Sequence, residues 1–370
     1  MTTSRTADPG PARVDFMGGG AFYTELRGRV NGLLADPARA RRAQRAMYVK
    51  SAVMIAWAVG SWIALVLLAV NWWQAGLAAI SLGLALAGVG FNITHDANHG
   101  SYSPHRRLNR AMCWTMDLMG ASSYVWRTKH NVVHHTYTNI AGEDSDIDSM
   151  PFARFAPEQP RRVLHRFQHV YVWVLYGLFA IKWHTTGDFG YLWAGRIGET
   201  AVRWPRGRDL VGFWVGKALF LTWALVIPLL LHPVWEVLLV FAVVSFVLAL
   251  TLAVTFQLAH CLEEAEFPSS AALAGAGRTE WARHQVETTV DFAPRSRVLT
   301  WYLGGLNFQI EHHLFSRVLH THYPAMADVV REVCARHGVR HTTHPTVGGA
   351  IASHARWLRR MGREPVPEGA

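Results

Sequence analysis

Histidine is the residue with which this chain could do chemistry. Twenty are present, and eight of them fall into a pattern. His95 and His99 stand four apart, so on a helix they share one face, a turn apart. His130 and His134 repeat that spacing, and His135 adds a third imidazole turned about a hundred degrees away. His312 and His313 form another adjacent pair, inside Gln309-Ile310-Glu311-His312-His313, and His260 closes a long apolar run. Imidazole is a good ligand for iron. Eight imidazoles are too many for one closed tetrahedral zinc and suit two metals that keep positions open. A metal-bound histidine needs its other ring nitrogen held, and Asp96, Glu311, Asp144, Asp146 and Asp148 are nearby carboxylates that could do this. Gln309 takes the position that would complete a third His-x-x-His-His pattern.

Other histidines lack that company. His165 and His169 share the four-residue spacing but precede an amphipathic run, with no third histidine and no acidic neighbour, and read as interfacial. His320 and His322 read as structural or as supports for the ligands. His341, His344 and His354 read as surface residues.

Three distant clusters need elements that bring them together, and the apolar runs supply these. The chain is 51% hydrophobic with 16 Trp, and its apolar residues come in long stretches, as in a membrane protein. No Asp, Glu, Lys or Arg occurs from Ser51 to Thr94, which is right for two spans with a hairpin at Asn71-Trp72-Trp73-Gln74. A second hairpin turns at His232-Pro233, between Leu210–Leu231 and Val234–His260, and Lys217 can snorkel at its inner end. Neither outer loop carries Lys or Arg, so the long basic segments face the cytoplasm. The pattern predicts an all-α integral membrane protein: four transmembrane helices in two hairpins, at about 51–71, 75–95, 210–231 and 234–260, under a cytoplasmic helical cap (96–209 and 261–362) that carries a histidine-rich di-metal site. Residues 1–45 read as a flexible cytoplasmic start containing a short helix, 46–362 as one domain and 363–370 as a loose tail. Leu108–Trp126 and Val170–Trp183 read as helices lying on or dipping into the interface, and Tyr323–His337 and Ala350–Arg360 as amphipathic helices.

The formal net charge is +10. Nucleic acid is one partner that such an excess suits, but no nucleic-acid motif accompanies it and the arginines cluster between apolar runs, so it reads as a basic cytoplasmic face. Arg106, Arg107, Arg127 and Lys129 read equally as topology signals or as holders of a substrate head group. Lysine occurs only at positions 50, 129, 182 and 217, the usage of a GC-rich bacterial genome, which suggests a bacterial plasma membrane. Cys113, Cys261 and Cys334 are scattered and fit a reducing compartment. No signal-peptide core occurs in the first fifty residues, so both termini are expected in the cytoplasm.

His95-Asp96-Ala97-Asn98-His99, His130 to His135 with Thr136-Tyr137-Thr138-Asn139, and Gln309-Ile310-Glu311-His312-His313-Leu314-Phe315 resemble the three histidine boxes of membrane fatty acid desaturases. The Gln in the third box is similar to the front-end, linoleoyl-CoA or delta-6-like group. The resemblance spans roughly 40–360 and implies a di-iron centre that uses O2 to place a double bond in an acyl chain. It implies His95, His99, His130, His134, His135, His312 and His313 as iron ligands, His260 as the additional histidine at the end of the last span, and Gln309 as a neighbour of the site. Ser316 stands where the family has Pro, and no His-Pro-Gly-Gly motif of a fused cytochrome b5 domain occurs. Electrons are therefore expected from a separate protein, a ferredoxin or a cytochrome b5-type carrier with an NAD(P)H reductase. The substrate implied is an acyl-CoA or acyl-lipid. A hydroxylase or acetylenase on the same scaffold, and a histidine-rich metal transporter, are the rival readings. The transporter expects charged groups at mid-membrane depth, which Ser51–Thr94 lacks.

Overall fold

Aspartate, asparagine and proline set the ends of the long apolar helices in the computed structural model, which describes residues 14–275 and 279–367. The Asp36 side chain accepts a hydrogen bond from the Ala38 N–H, and Pro37 takes the first helical position. The Asn71 side chain caps the next helix at Gln74 N. Among the described residues four helices are long and apolar enough to cross a membrane: Pro37–Leu68, Trp72–His99, Arg208–Leu231 and Val234–His260. They form two hairpins. The first starts well before Ser51, because the capped Asp36-Pro37 start carries the arginine-rich segment into the same helix.

The second span is the central one, with 61% of its apolar window buried against 28%, 17% and 28% for the others. The other three turn Val53, Leu67, Leu230 and Leu238 outward, as lipid-facing helices do. Close approach is bought by glycine. A Cβ on Gly83 would lie 2.7 Å from Val247 of the fourth span, and one on Gly88 2.7 Å from Met54 of the first. π-helical turns interrupt three spans, at Ala64–Leu68, Gly90–Thr94 and Thr222–Val226. Such turns rotate the side chains that follow, and the one at Gly90–Thr94 leads directly into His95.

The two segments read as interfacial pack against spans. Arg106–Leu118 lies beside the second span, with Thr115 Oγ1 2.7 Å from Thr94 Oγ1. Gln168–Lys182 runs along the fourth span and continues through a π-helical turn into Asp188–Ala194. At Gly177 a Cβ would meet Phe246 at 2.1 Å, so this pair of helices touches backbone to ring.

The cap has its own core. Phe22, Leu26 and Val30 of Ala21–Leu34 pack with Phe308, Ile310 and Leu314 and with Met326 and Val330 of Tyr323–Arg336. Residues 1–45 read from sequence as a flexible start containing a short helix; Ala21–Leu34 is a helix whose apolar face covers the third histidine box, and residues 1–13 lie outside the described ones. A short parallel pairing joins Asp291–Phe292 to Thr343–His344, and Val347–Met361 closes the cap. The start of the tail is held: buried Arg154 donates to the carbonyls of Met361 and Glu364, both at 2.7 Å. Residues 368–370 lie outside the described ones.

Four histidines read as interfacial or surface residues are placed otherwise. His354 is fully buried, with Nδ1 2.6 Å from the Cys261 carbonyl and Nε2 2.8 Å from the Tyr176 hydroxyl. His165 is buried too, with Nε2 2.9 Å from the Pro151 carbonyl. His344 reaches Glu264 at 3.0 Å, and His341 faces Asp291 at 3.7 Å. A neutral imidazole with both nitrogens paired can be buried at little cost.

Two outcomes follow for stability. Gly177→Ala should lower the melting temperature in detergent through overpacking worth about 1–3 kcal/mol, whereas Gly190→Ala, with open space around it, should change little. Burial pushes the His354 imidazole down to about 4. The folded protein thus takes up a proton there less readily than the unfolded chain. Its contribution is complete above pH about 6.5 and is lost as pH falls towards 4. His354→Gln should therefore narrow the difference in melting temperature between pH 7 and pH 4.5.

Candidate metal centre

Each histidine cluster is aimed by a local backbone device. His95–His99 follows the π-helical turn of the second span and ends at Gly100, whose φ of +77° stops the helix. His130 and His134 lie within a π-helical stretch, Arg127–His134. That stretch brings His135 closer to its cluster than an α-helix would, with its ring centroid 4.8 Å from that of His130. His312 and His313 sit on Gln309–Leu314, approached through Gly304 and Gly305, both with positive φ. A Cβ on Gly304 would lie 2.4 Å from the Phe91 carbonyl, so only glycine lets this loop press against the second span.

All eight histidines come together, and all are buried. Ligand nitrogens of His95, His99, His130 and His312 lie within 4.8 Å of one another, as do those of His134, His260 and His313. His135 joins the two groups, its ring 4.8 Å from that of His99 and 4.3 Å from that of His313. Two neighbouring foci, not one, are the natural reading.

The inner nitrogens are bare. Nε2 of His99, His130, His134, His135, His312 and His313 is buried without a hydrogen-bond partner among the described residues. The outer nitrogens of five rings face acceptors, whereas Nδ1 of His135 and of His260 has no hydrogen-bond partner among the described residues. His134 Nδ1 lies 2.9 Å from Asp144, His313 Nδ1 2.7 Å from Gln285 Oε1 and His312 Nδ1 3.3 Å from the Tyr323 hydroxyl. His130 Nδ1 and His95 Nδ1 stand 3.6 Å from Asp146 and Asp96. An acceptor at Nδ1 keeps the proton there and leaves the Nε2 lone pair for a metal. Asp144 is itself held, accepting from the N–H groups of Asn139 and Asp146 at 3.0 and 2.9 Å.

The electrostatics agree. Burial, and then the neighbouring imidazoles, hold His130, His135, His312 and His313 well below the ordinary histidine range, so they are neutral at pH 7. For His134 the burial is outweighed by the charge of Asp144, which raises it. The residues present therefore fit two metal ions: neutral nitrogen donors facing inward and carboxylates or amides behind them.

Several expected residues serve other purposes. Asp148 is exposed and accepts from Met150 N at 3.2 Å, away from the imidazoles. Glu311 is buried, but it pairs with Asp291 and not with a histidine. Burial pushes Asp291 up to about 7 and Glu311 well above the carboxylate range, so protons stay on this pair. Lys129 forms an ion pair with Asp146, which takes it out of the set of free head-group cations. Gln309 does reach the site, with Nε2 2.9 Å from His260 Nε2. Gln285 and Tyr323 had no local signal in the sequence, since only the fold sets them behind His313 and His312.

One cavity borders the centre, and a second lies apart from it among the spans. One, of about 610 Å³, opens on the cap and is lined by His99, His135, Arg106, Arg127 and Arg317. The other, of about 430 Å³, lies among the four spans and is lined by apolar residues including Trp62, Leu86, Met119, Phe220 and Leu248.

A family model described as fatty acid desaturase matches residues 70–345. The sn-1 linoleoyl-lipid 6-desaturase of Arthrospira platensis is 37% identical over 347 residues, 93% of each chain. The enzyme of the same name from a Synechocystis species is 34% identical over 352 residues, 95% of this chain and 98% of that one. An acyl-lipid (8-3)-desaturase of Physcomitrium patens is 37% identical over 288 residues, 77% of this chain and 60% of its own.

Asp144→Asn should leave the fold in place and reduce metal affinity by about 10- to 100-fold, measured as metal retained per purified chain.

Proposed function

The chain belongs to the fatty acid desaturase family, an oxidoreductase family, and we propose that it introduces a cis double bond into an acyl chain carried by a membrane lipid, at two iron ions held by the eight histidines, with O2 as co-substrate. The observation that carries this reading is the set of six buried, unpartnered Nε2 atoms in two adjoining groups. Iron bound there would supply the oxidising power that unactivated C–H bonds require and side chains lack.

The protein's own residues bind, orient and exclude. His95, His99, His130 and His312 would hold one ion, and His134, His260 and His313 the other, with His135 between them. Asp144, Gln285 and Tyr323 keep the protons on the outer nitrogens. The mostly apolar cavity among the spans would suit the far part of an acyl tail. Arg106, Arg107 and Arg127 are the cations left on the cap face for a polar head group, and the cap cavity reaches from Arg106 and Arg127 to His99 and His135. The acyl-lipid substrates in the names of the relatives favour a lipid over acyl-CoA as the carrier. The arginine-rich segments lie at the histidine end of the spans, which by the positive-inside rule makes that end, and both termini, cytoplasmic in a bacterial plasma membrane. Electrons come from a separate redox protein, a ferredoxin or a cytochrome b5-type carrier with its NAD(P)H reductase.

The test is expression in a host with simple fatty acids, with lipids analysed by mass spectrometry. The expected product is two hydrogens lighter, and His134→Ala should abolish it. A product one oxygen heavier would make the protein a hydroxylase instead, and an unchanged lipid profile with active redox partners present would refute the proposal.

A further inference from the structure

The first span contributes no histidine to the centre, yet it carries one buried cation. Lys50 is 5% exposed, on a helix whose next charged residue along the chain is Asp96 of the second span. An ionised group buried at the end of a membrane helix is costly unless it is paired, and such groups mark function. Lys50 Nζ lies 2.9 Å from His320 Nε2 and 5.6 Å from the centre of the Trp301 ring. His320 Nδ1 lies 2.8 Å from Asp96 Oδ2, and the His320 N–H points to the same oxygen at 3.4 Å. The other oxygen, Asp96 Oδ1, stands 3.6 Å from His95 Nδ1, which has no nearer partner among the described residues.

The donors and acceptors in this row leave one consistent arrangement. The Asp96 carboxylate only accepts, so the His320 proton sits on Nδ1 and is donated to it, and His320 Nε2 accepts from Lys50. The carboxylate, an acceptor only, turns its second oxygen to His95 and favours a proton on Nδ1 of that ring. The Nε2 lone pair of His95 is thereby left for the group formed with His99, His130 and His312. The gap of 3.6 Å is a few tenths of an ångström beyond hydrogen-bond reach, which a small turn of the ring closes.

We propose that Lys50 is a positioning residue of the metal centre: through His320 it holds in place the Asp96 carboxylate that faces His95 Nδ1 and so keeps the other nitrogen of His95 free to bind metal. This rests on the metal-centre reading given above. It also explains why a lysine is buried here, where methionine would fill the space without desolvation.

The test is titration of the metal-free, detergent-solubilised full chain with Co2+, in competition with a chelator, reading affinity and the visible spectrum of the bound ion. Wild type should take up two Co2+. Lys50→Met should lose about 10- to 100-fold in affinity for one of the two and alter its spectrum. Lys50→Arg, again a donor only, should restore both. His320→Phe, which breaks the row at its middle, should match Lys50→Met and serves if that variant does not fold. Wild-type affinity and spectrum in a folded Lys50→Met or His320→Phe protein would overturn the proposal, as would a folded Lys50→Arg protein as weak as Lys50→Met. A wild type that binds no Co2+ would overturn the metal centre itself, and with it this role of Lys50.

Discussion

Six imidazole Nε2 atoms are buried at one place without hydrogen-bond partners among the described residues, and the rest of the structure depends on that constraint. Leaving one buried polar atom unsatisfied costs about 1–3 kcal/mol. Six would together rival the whole net stability of a domain, about 5–15 kcal/mol. Such a cluster persists only if something answers all of the lone pairs together and if the surroundings hold the rings in place meanwhile. The two metal ions proposed above would be the first answer. The second is the ring of Asp144, Gln285, Tyr323 and Asp96 that faces the outer nitrogens.

That ring explains much of the architecture. Its members come from a loop, two cap helices and the second span, so the cap must be packed before the imidazoles can be oriented. The N-terminal helix serves the same end by covering Phe308, Ile310 and Leu314, which flank the third histidine cluster. Glycines allow the approach: Gly304 against Phe91, and Gly83 and Gly88 between the spans. The result is a site at the end of apolar helices, with one cavity opening beside it on the cap and another lying within the bundle. The first offers charge and polarity, and the second is mostly apolar, although Asn71, His184, His232 and Glu236 also line it.

Legibility in the sequence followed the range of the signals. Long apolar runs and short histidine spacings are local, and both the spans and the eight imidazoles were readable from them. The supports behind the rings were readable only where they lie close along the chain, as Asp96, Asp144 and Asp146 do. Gln285 and Tyr323 reach their histidines through tertiary packing and leave no local mark. Proximity in sequence also misled. Glu311 adjoins His312, but the helix turns it to Asp291, and Asp148 points to its own turn. Lys129, beside His130, is spent on Asp146. The phase of His135 was missed because the π-helical stretch departs from the α-helical repeat. His354 looked like a surface residue because polarity predicts exposure only until both ring nitrogens find partners.

The order in which the ligands occur along the chain has a consequence for biogenesis. The first hairpin and the segment after it deliver His95, His99 and His130 to His135; the second hairpin delivers His260; His312 and His313 emerge last. During translation the early imidazoles are therefore in the membrane long before their partners exist. On the proposed reading, metal could be enclosed only after both hairpins are inserted and the third cluster has left the ribosome. Once enclosed, the ions would tie one hairpin to the other through ligands on each. Loading would then be the last step of assembly and also its lock, and a chain truncated before His312 would be inserted but never sealed.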